Sequence, residues 1–260
     1  MDLFHFDPNM VFGFLLTLIR ISLILFLLPF FGANLLPRAV KGALCMVMAL
    51  ALYPHLSFPG SMLPGNPWML ALMLLGEVVM GLLFDILILL LFSAVQCAGA
   101  IMGFSMGFSL MNSVDPMTGA SESGLGHLMN QVTTMLFLCL NGHLVLIGGL
   151  AQSFALVPPG GLLINAALGQ HLIAFSSQMF VMALKIAAPI MASIFLVDLA
   201  LALVARAAPQ MNVLFIGFPL KISVGFLFMT LVFAAMSLYV GRYIDELVPM
   251  YKLVLKSSAH

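Results

Sequence analysis

The sequence predicts an all-α protein that crosses a membrane several times through long, kinked helical hairpins. Charged residues make up only 7% of the chain, against about 25% in an ordinary soluble domain. Hydrophobic residues make up 63%, against roughly 45–50% in soluble domains. The apolar runs between the charges are long enough to span a bilayer as helices. Because a soluble enzyme, a cytosolic binding module and a disordered chain all need more charge, this composition excludes them.

The charge balance and the cysteine pattern exclude two further kinds of site. Nine basic and nine acidic residues give a net charge of zero, so the positive footprint of a nucleic-acid-binding protein is missing. Cys45, Cys97 and Cys139 each stand alone in an apolar run. We expect them to be small packing residues, and neither a disulfide framework nor a zinc site.

The first predicted span runs from Met10 to Phe31 and carries Arg20 near its middle. As a helix it is about 33 Å long, enough for the ~30 Å hydrocarbon core. A central arginine costs about 2.5–3.5 kcal/mol on the insertion scale, while each strong apolar residue returns about 0.3–0.6 kcal/mol near the centre. The many apolar residues of the run outweigh that cost. We therefore expect Arg20 to face protein or water and not lipid.

Prolines and glycines separate the next apolar runs. A basic connection over 32–41 precedes the second run, Gly42 to Leu52, and an uncharged loop over 53–67 follows it. The third run, from Trp68 to Met111, contains no proline. One helix of that length would measure about 66 Å, so the run either protrudes from the bilayer or breaks between Ser93 and Gly107.

The second half of the chain contains three more predicted runs. Leu125 to Val157 is one of them, and Ala166 to Ala208 is an overlong segment in which Pro189 predicts a kink. A loop over 211–219 leads to the last span, Lys221 to Val240, and a tail of mixed charge. Six alternating spans would put the basic residues of that tail outside, against the positive-inside rule. The chain is therefore not expected to be a simple bilayer-spanning bundle.

Three glycines, Gly99, Gly103 and Gly107, recur every four residues. On a helix they form one smooth stripe that lets another backbone approach closely. The sequence leaves open whether that contact lies within the chain or between subunits. Methionines and phenylalanines stand between the glycines, and methionine suits a surface that must seal and reopen because it is flexible and polarisable. Ordinary core packing is the alternative for these side chains.

Five charged residues lie inside the apolar runs and are predicted to be buried. Intramembrane charges are candidates for function. Glu77 and Asp85 share a helix face only loosely, and Lys185 and Asp198 lie on different faces of theirs. We expect buried ion pairs between helices or subunits, with a proton relay as the alternative. The five residues are Arg20, Glu77, Asp85, Lys185 and Asp198.

No group of catalytic residues stands out in the sequence. His127 and His143 lie on one apolar run without the H-x-x-x-H spacing or the third ligand of a metal site. A phosphate-binding loop and a G-x-S-x-G motif are also missing. We therefore expect no enzymatic activity, no cofactor and no metal ion.

Four stretches of the sequence are distinctive when they are taken together. They are GEVVMG from Gly76, GAIMGFSMGFS followed by Asp115–Pro116, NGHL from Asn141 with Ser153–Phe154 and Pro158 after it, and RAAPQMNVLFIGFPLKI from Arg206 to Ile222. The last contains the pattern A-P-Q-M-N-V-x-x-x-G-F-P-x-K, which is long and specific. From Asn9 to about Arg242 the sequence resembles the FliR family of flagellar and virulence type III secretion export-gate proteins.

This resemblance implies a non-enzymatic subunit of a helical, pore-forming gate in the bacterial inner membrane, through which unfolded export substrates pass. The implied partners are FliP-type and FliQ-type gate subunits, with a FlhB-type export protein on the outside. Residues 1–165 would resemble a FliP-type subunit and residues 166–242 a FliQ-type helical hairpin, followed by a short tail over 243–260. In this family the gate lies largely above the bilayer plane inside the secretion basal body. Such a position would explain why some helices are longer than a bilayer is thick. It would also explain why six alternating spans do not obey the positive-inside rule.

The resemblance also implies roles for individual residues. The loop over 109–123 would be the pore plug, although its SESGLG segment is more polar than the family pattern. Asp115 and Pro116 would be its centre. The closed constriction would be lined by Met106, Phe108 and Met111. The residues at the cytoplasmic mouth, where neighbouring gate subunits could be contacted, would be Arg206, Gln210, Pro219 and Lys221.

Two other classes of membrane protein compete with the export gate. A secondary transporter or an ion channel of the inner membrane also has broken helices and buried charges. A transporter would show an inverted repeat with matching broken segments, and none is apparent in the sequence. A membrane-embedded enzyme needs a convergent His/Asp/Glu or Ser/His set, which is missing. The sequence does not distinguish a flagellar from a virulence system.

Overall fold

The computed structural model describes residues 8–27, 37–55, 64–108, 124–158 and 166–258. Within these ranges the chain forms α-helices joined by turns, with no strand, so the prediction of an all-α fold is confirmed. The helices are α1 (Pro8–Leu27), α2 (Arg38–Leu52), α3 (Pro67–Met106), α4 (Gly124–Cys139), α5 (Gly142–Leu156), α6 (Ala166–Ala207) and α7 (Val213–Ser258), with a short 3-10 turn at Tyr53–His55.

Four of these helices are long and apolar enough to cross a membrane, namely α1, α3, α6 and α7. The bent pair of α4 and α5 would make a fifth span. The lengths follow from composition, because long runs of apolar residues with few helix breakers favour continuous helix in a membrane. The prediction of a multi-pass helical membrane protein is therefore confirmed.

Helix α3 is a single 40-residue helix and does not break between Ser93 and Gly107. At 1.5 Å per residue it is about 60 Å long, roughly twice the hydrocarbon core. The small residues of that stretch are compatible with helix, and several of them are buried. The run was expected either to protrude from the bilayer as one helix or to break between Ser93 and Gly107, and the structure has one unbroken helix over Pro67–Met106.

The predicted apolar run from Leu125 to Val157 is divided between two helices, α4 and α5. Asn141, between them, has a left-handed backbone with a φ of 57°, which asparagine tolerates better than most residues. The Asn141–Gly142 pair therefore ends one helix and starts the next.

The predicted loop over 211–219 is shorter than expected, and most of the segment predicted as a tail over 243–260 is helical. Helix α7 begins at Val213 and continues to Ser258. In its last turns Leu247, Tyr251 and Leu255 are buried, while Lys252, which lies between them, is exposed. Because the apolar residues recur every four positions, this segment is an amphipathic helix that packs onto the protein.

The chain divides into two compact units, each built from separate segments. Unit 1 contains residues 1–89, 141–175 and 246–260, and unit 2 contains residues 90–140 and 176–245. In unit 1 the rings of Phe84 and Tyr251 stack with centroids 4.3 Å apart. Gly149 makes that stack possible, because a Cβ there would lie 3.0 Å from Tyr251 Cδ2.

Candidate functional site

Arg20 and Glu77 form an ion pair inside unit 1. Arg20 Nε lies 2.5 Å from Glu77 Oε2, and Nη2 lies 2.9 Å from Oε1. The side chains are 0% and 1% exposed. Two parallel N–H···O bonds are the geometry in which a guanidinium recognises a carboxylate best. Arg20 thus faces protein, as the cost of placing it in lipid predicts.

Arg20 also binds the C-terminal end of α5. Its Nη1 donates to Ser153 Oγ and to the carbonyl oxygen of Val157, each at 3.2 Å. The guanidinium carbon lies 4.3 Å from the centroid of the Phe154 ring, a cation–π arrangement. The last carbonyls of a helix lack partners within the helix and carry partial negative charge. The Arg20 guanidinium therefore joins α1, α3 and the end of α5.

The other predicted buried charges have different surroundings. Asp85 is buried on α3, and Oδ1 has no hydrogen-bond partner among the described residues. Lys185 is exposed on α6. Asp198 is half exposed and forms a 2.5 Å ion pair with Lys221 of α7. The described residues of this chain do not cover Lys185 and Asp198, so burial of these two charges between subunits stays a prediction.

The C-terminal end of α3 is fixed by its backbone. The amide of Phe108 donates to the carbonyl of Gly103 at 2.9 Å, and the amide of Gly107 donates to the carbonyl of Phe104 at 3.1 Å. Gly107 has a φ of 90°. This pair of bonds around a left-handed glycine is the Schellman motif, which ends a helix at a defined residue. Helix α3 therefore ends at a defined residue shortly before the loop predicted over 109–123.

The three glycines of the predicted stripe have different roles. A Cβ at Gly99 would lie 2.6 Å from the Cα atom of Gly126 on α4, so the backbones of α3 and α4 approach closely there. Gly103 is buried inside α3. Gly107 lies beyond the helix, where a Cβ would come within 2.9 Å of the Phe218 ring. The role of Gly107 is thus to end the helix as well as to allow close packing.

Of the residues predicted for the gate, the structure describes only Met106 and Phe108. Met106 is fully buried in unit 2, and a Cβ at Gly225 would overlap its side chain. A methionine enclosed in this way does not line an open surface of this chain. Phe108, the next large residue, is half-buried. Met111, Asp115 and Pro116 lie outside the described residues, as does the rest of the loop over 109–123.

The residues predicted for the cytoplasmic mouth lie around the short turn between α6 and α7. Arg206, Gln210 and Pro219 are exposed, and Lys221 is half-buried beside Asp198. An open groove of about 320 Å³ lies along this turn. Its walls are mainly apolar, with the Lys221–Asp198 ion pair at one side. The lining residues are Asp198, Leu201, Ala202, Ala205, Val213, Gly217, Phe218 and Lys221.

Neither the histidines nor the cysteines form a metal site within the described ranges. No group of three histidine, cysteine, aspartate or glutamate side chains is arranged to hold a metal ion there. His127 is exposed and lies 3.4 Å from Gln131 on the next turn of α4. Cys45 is buried, Cys97 is half-buried and Cys139 is exposed, all as free thiols. Among the predicted site residues, the structure pairs Arg20 with Glu77 and Asp198 with Lys221.

Sequence reasoning missed the residues that complete these contacts. Val157 and Phe218 carried no signal as contact residues, because a backbone carbonyl and a single ring have no pattern. Gly225 stands alone, without the four-residue repeat that marked the stripe. Ser153 and Phe154 did lie in a stretch that carries the family resemblance, and this was the available signal for the contacts of Arg20.

Comparison with known proteins identifies relatives over most of the chain. The sequence model of the family described as bacterial export proteins, family 1, matches residues 11–247. The flagellar biosynthetic protein FliR of Bacillus subtilis is 34% identical over 220 residues, which cover 83% of each chain. FliR of Escherichia coli is 31% identical, over 80% of this chain and 79% of the relative. The surface presentation of antigens protein SpaR of Salmonella typhimurium is 26% identical, over 90% and 86%.

Proposed function

The chain belongs to the bacterial export proteins, family 1, and we propose that it is a subunit of the flagellar-type, or type III, protein export gate of the bacterial inner membrane. The observation that carries this proposal is the family match over residues 11–247, together with relatives named for flagellar biosynthesis that cover about four fifths of the chain. Four helices able to span a membrane fit this location.

The proposed role is structural and not enzymatic. In the assembled gate the chain would join FliP-type and FliQ-type subunits, with a FlhB-type protein outside, and the gate would pass unfolded protein substrates. Residues 1–165 would be the FliP-like part and residues 166–242 the FliQ-like hairpin, while residues 243–260 would follow as a tail. The short turn between α6 and α7 and the Lys221–Asp198 ion pair that joins them support a hairpin there.

The proposed mechanism is a pore that is closed by a plug and opens for an unfolded chain. The plug would be the loop over 109–123, with Asp115 and Pro116 at its centre. Its support is the Schellman motif at Gly107, which ends α3 at a defined residue shortly before this loop. Phe108 would begin the constriction that Met111 continues. Met106 would hold the base of the plug through its packing against Gly225.

Deleting Asn112 to Gly119 tests the plug. The gate should still assemble, because the fixed end of α3 and its contacts lie outside the deletion, and the membrane should become leaky to small ions. A matched control replaces the same eight residues with glycine and serine, which keeps the length and removes the apolar and charged side chains. An assembled gate with unchanged ion conductance would contradict the plug assignment.

Removing the chain from its host tests the export role itself. Secretion of flagellar-type substrates should stop and should return when the wild-type chain is supplied. Purified chain that moves a small solute by itself would favour a transporter instead. Continued secretion in the absence of the chain would contradict the proposed function.

A further inference from the structure

The middle of α6, inside unit 2, exposes a face that carries a single charged residue, Lys185. At 3.6 residues per turn, the exposed positions cover about 160° around the helix axis and so lie on one side of it. We refer to this side as the Lys185 face. Its members are Ser177, Gln178, Phe180, Val181, Leu184, Lys185, Ala188, Met191 and Ala192.

The side chains of the Lys185 face change in size and polarity from one edge to the other. Lys185 and Gln178 are seven positions apart and share the polar edge. The opposite edge is apolar, with Phe180, Leu184 and Met191. Smaller side chains lie between the two edges, namely Ser177, Val181, Ala188 and Ala192. The exposed side continues beyond Ala192, but the large ring of Phe195 follows there. The face is therefore a shallow depression about 24 Å long, with a cation on one wall.

Lys185 has no ion-pair partner among the residues that the structure describes. The next charged residue on α6 is Asp198, which lies about 20 Å further along the axis and is paired with Lys221. A lysine on an apolar helix is expensive unless water or an opposite charge reaches it. A helix that covers the Lys185 face would displace water from the ammonium group, so it must bring a negative charge to replace that water.

We propose that the Lys185 face is the docking surface for an apolar helix of another gate subunit, and that this helix carries an aspartate or glutamate opposite Lys185. Helix contacts in membranes are enriched in small residues, because these let two backbones approach closely. Ala188 and Ala192 supply such residues beside Lys185. Charge complementarity then specifies both the kind of partner and its register. The inference rests on the proposed role as a gate subunit and identifies a partner surface for that role.

Photo-crosslinking in the assembled gate tests this docking surface. The photoreactive amino acid p-benzoylphenylalanine replaces Val181, which lies in the centre of the face and is 47% exposed. The full chain is produced in its own host, the membranes are irradiated, and mass spectrometry identifies the crosslinked residues. We expect a covalent adduct with a helix of another gate subunit, in which an aspartate or glutamate lies within about one turn of the crosslinked residue.

Charge variants show whether Lys185 directs the contact. Lys185→Arg keeps the positive charge and should keep the adduct, whereas Lys185→Glu should lose most of it. Changing the acidic residue of the other subunit to lysine should restore the adduct in the Lys185→Glu chain. Because Lys185 is exposed, Lys185→Glu should leave the melting temperature of the purified chain unchanged. A lower melting temperature would show that Lys185 stabilises its own chain, and would overturn the proposal.

Four other results would overturn the proposal. They are adducts with phospholipid alone, adducts only within this chain, an adduct with a helix that has no acidic residue nearby, and an adduct of equal yield in Lys185→Glu. Export by the same cells separates this inference from the proposed function. A lipid adduct alone in an export-competent gate would overturn the docking surface and leave the export role in place. Absence of other gate subunits from the extracted complex would overturn the export role and this inference with it.

Discussion

Arg20 of α1 and Glu77 of α3 are 57 residues apart in sequence and form a buried two-point ion pair. Neither charge has access to water, so each is tolerated only because of the other and of the groups around them. The same arginine binds the carbonyl of Val157 at the end of α5. The pair therefore fixes the relative register of three helices in unit 1.

Removing the carboxylate from this pair should destabilise the protein strongly. In Glu77→Gln, Arg20 stays buried without its counter-charge, and breaking a buried pair on one side costs about 3–5 kcal/mol. We expect a lower melting temperature of the purified protein in detergent, measured by circular dichroism, and less folded protein in the membrane.

Two variants control this prediction. Asp198→Asn breaks the half-exposed pair with Lys221, and an exposed pair contributes about 0–1 kcal/mol. The double variant Arg20→Met with Glu77→Leu removes both charges, and it should recover much of the stability that Glu77→Gln loses. A melting temperature of Glu77→Gln equal to that of the wild type would refute the structural importance of the pair.

A single methyl group at Gly99 should push α3 and α4 apart. The added Cβ of Gly99→Ala would lie 2.6 Å from the Cα atom of Gly126, and backbone cannot rotate away. Overpacking costs about 1–3 kcal/mol. Gly148→Ala is the matched control, since nothing lies within 4 Å of its Cβ and alanine favours helix over glycine by about 0.5–1 kcal/mol. Thermal unfolding of both variants checks this, and equal effects would contradict the close approach.

Replacing Gly107 should loosen the end of α3. An alanine at a φ of 90° is strained, and its Cβ would come within 2.9 Å of the Phe218 ring. Hydrogen exchange of the amides over 103–108 should therefore be faster in Gly107→Ala. Adding Phe218→Ala removes the clash but not the backbone strain, so exchange should stay faster than in Phe218→Ala alone. Unchanged exchange in Gly107→Ala would argue against the Schellman motif.

Met106 and Gly225 should be energetically coupled. Gly225→Ala requires Met106 to leave its rotamer, and Met106→Ala leaves a cavity, which costs about 2–5 kcal/mol for a buried methionine. The double variant should lose less stability than the sum of the two single variants, because the alanine at 225 partly fills the space. A double-mutant cycle on melting temperature measures the coupling, and simple additivity would show that the two side chains do not meet.

Composition predicted the apolar helices. It also predicted that Arg20 faces protein and not lipid, because placing a charged side chain in lipid costs a large free energy. It did not identify Glu77 as the partner of Arg20. Pairing depends on how helices far apart in sequence pack, and single-chain spacing contains no such information. The four-residue glycine repeat likewise predicted a close approach at Gly99 but not that Gly126 is the residue approached.

Local conformation explains the remaining differences. The Asn141–Gly142 dipeptide is typical of turns and could have predicted the bend between α4 and α5. Gly107 looked like a third packing position because its left-handed backbone has no signature beyond the glycine itself. In the final segment of α7 the mixed charge is visible in the sequence, whereas the burial of Leu247, Tyr251 and Leu255 depends on packing inside unit 1.

Native mass spectrometry of the tagged chain, extracted gently from the membrane of its own host, tests the central claim most directly. The account predicts one complex that contains this chain and several copies of two smaller helical proteins. The chain alone, or a homodimer of it, released from an extraction verified as intact would contradict the export-gate assignment.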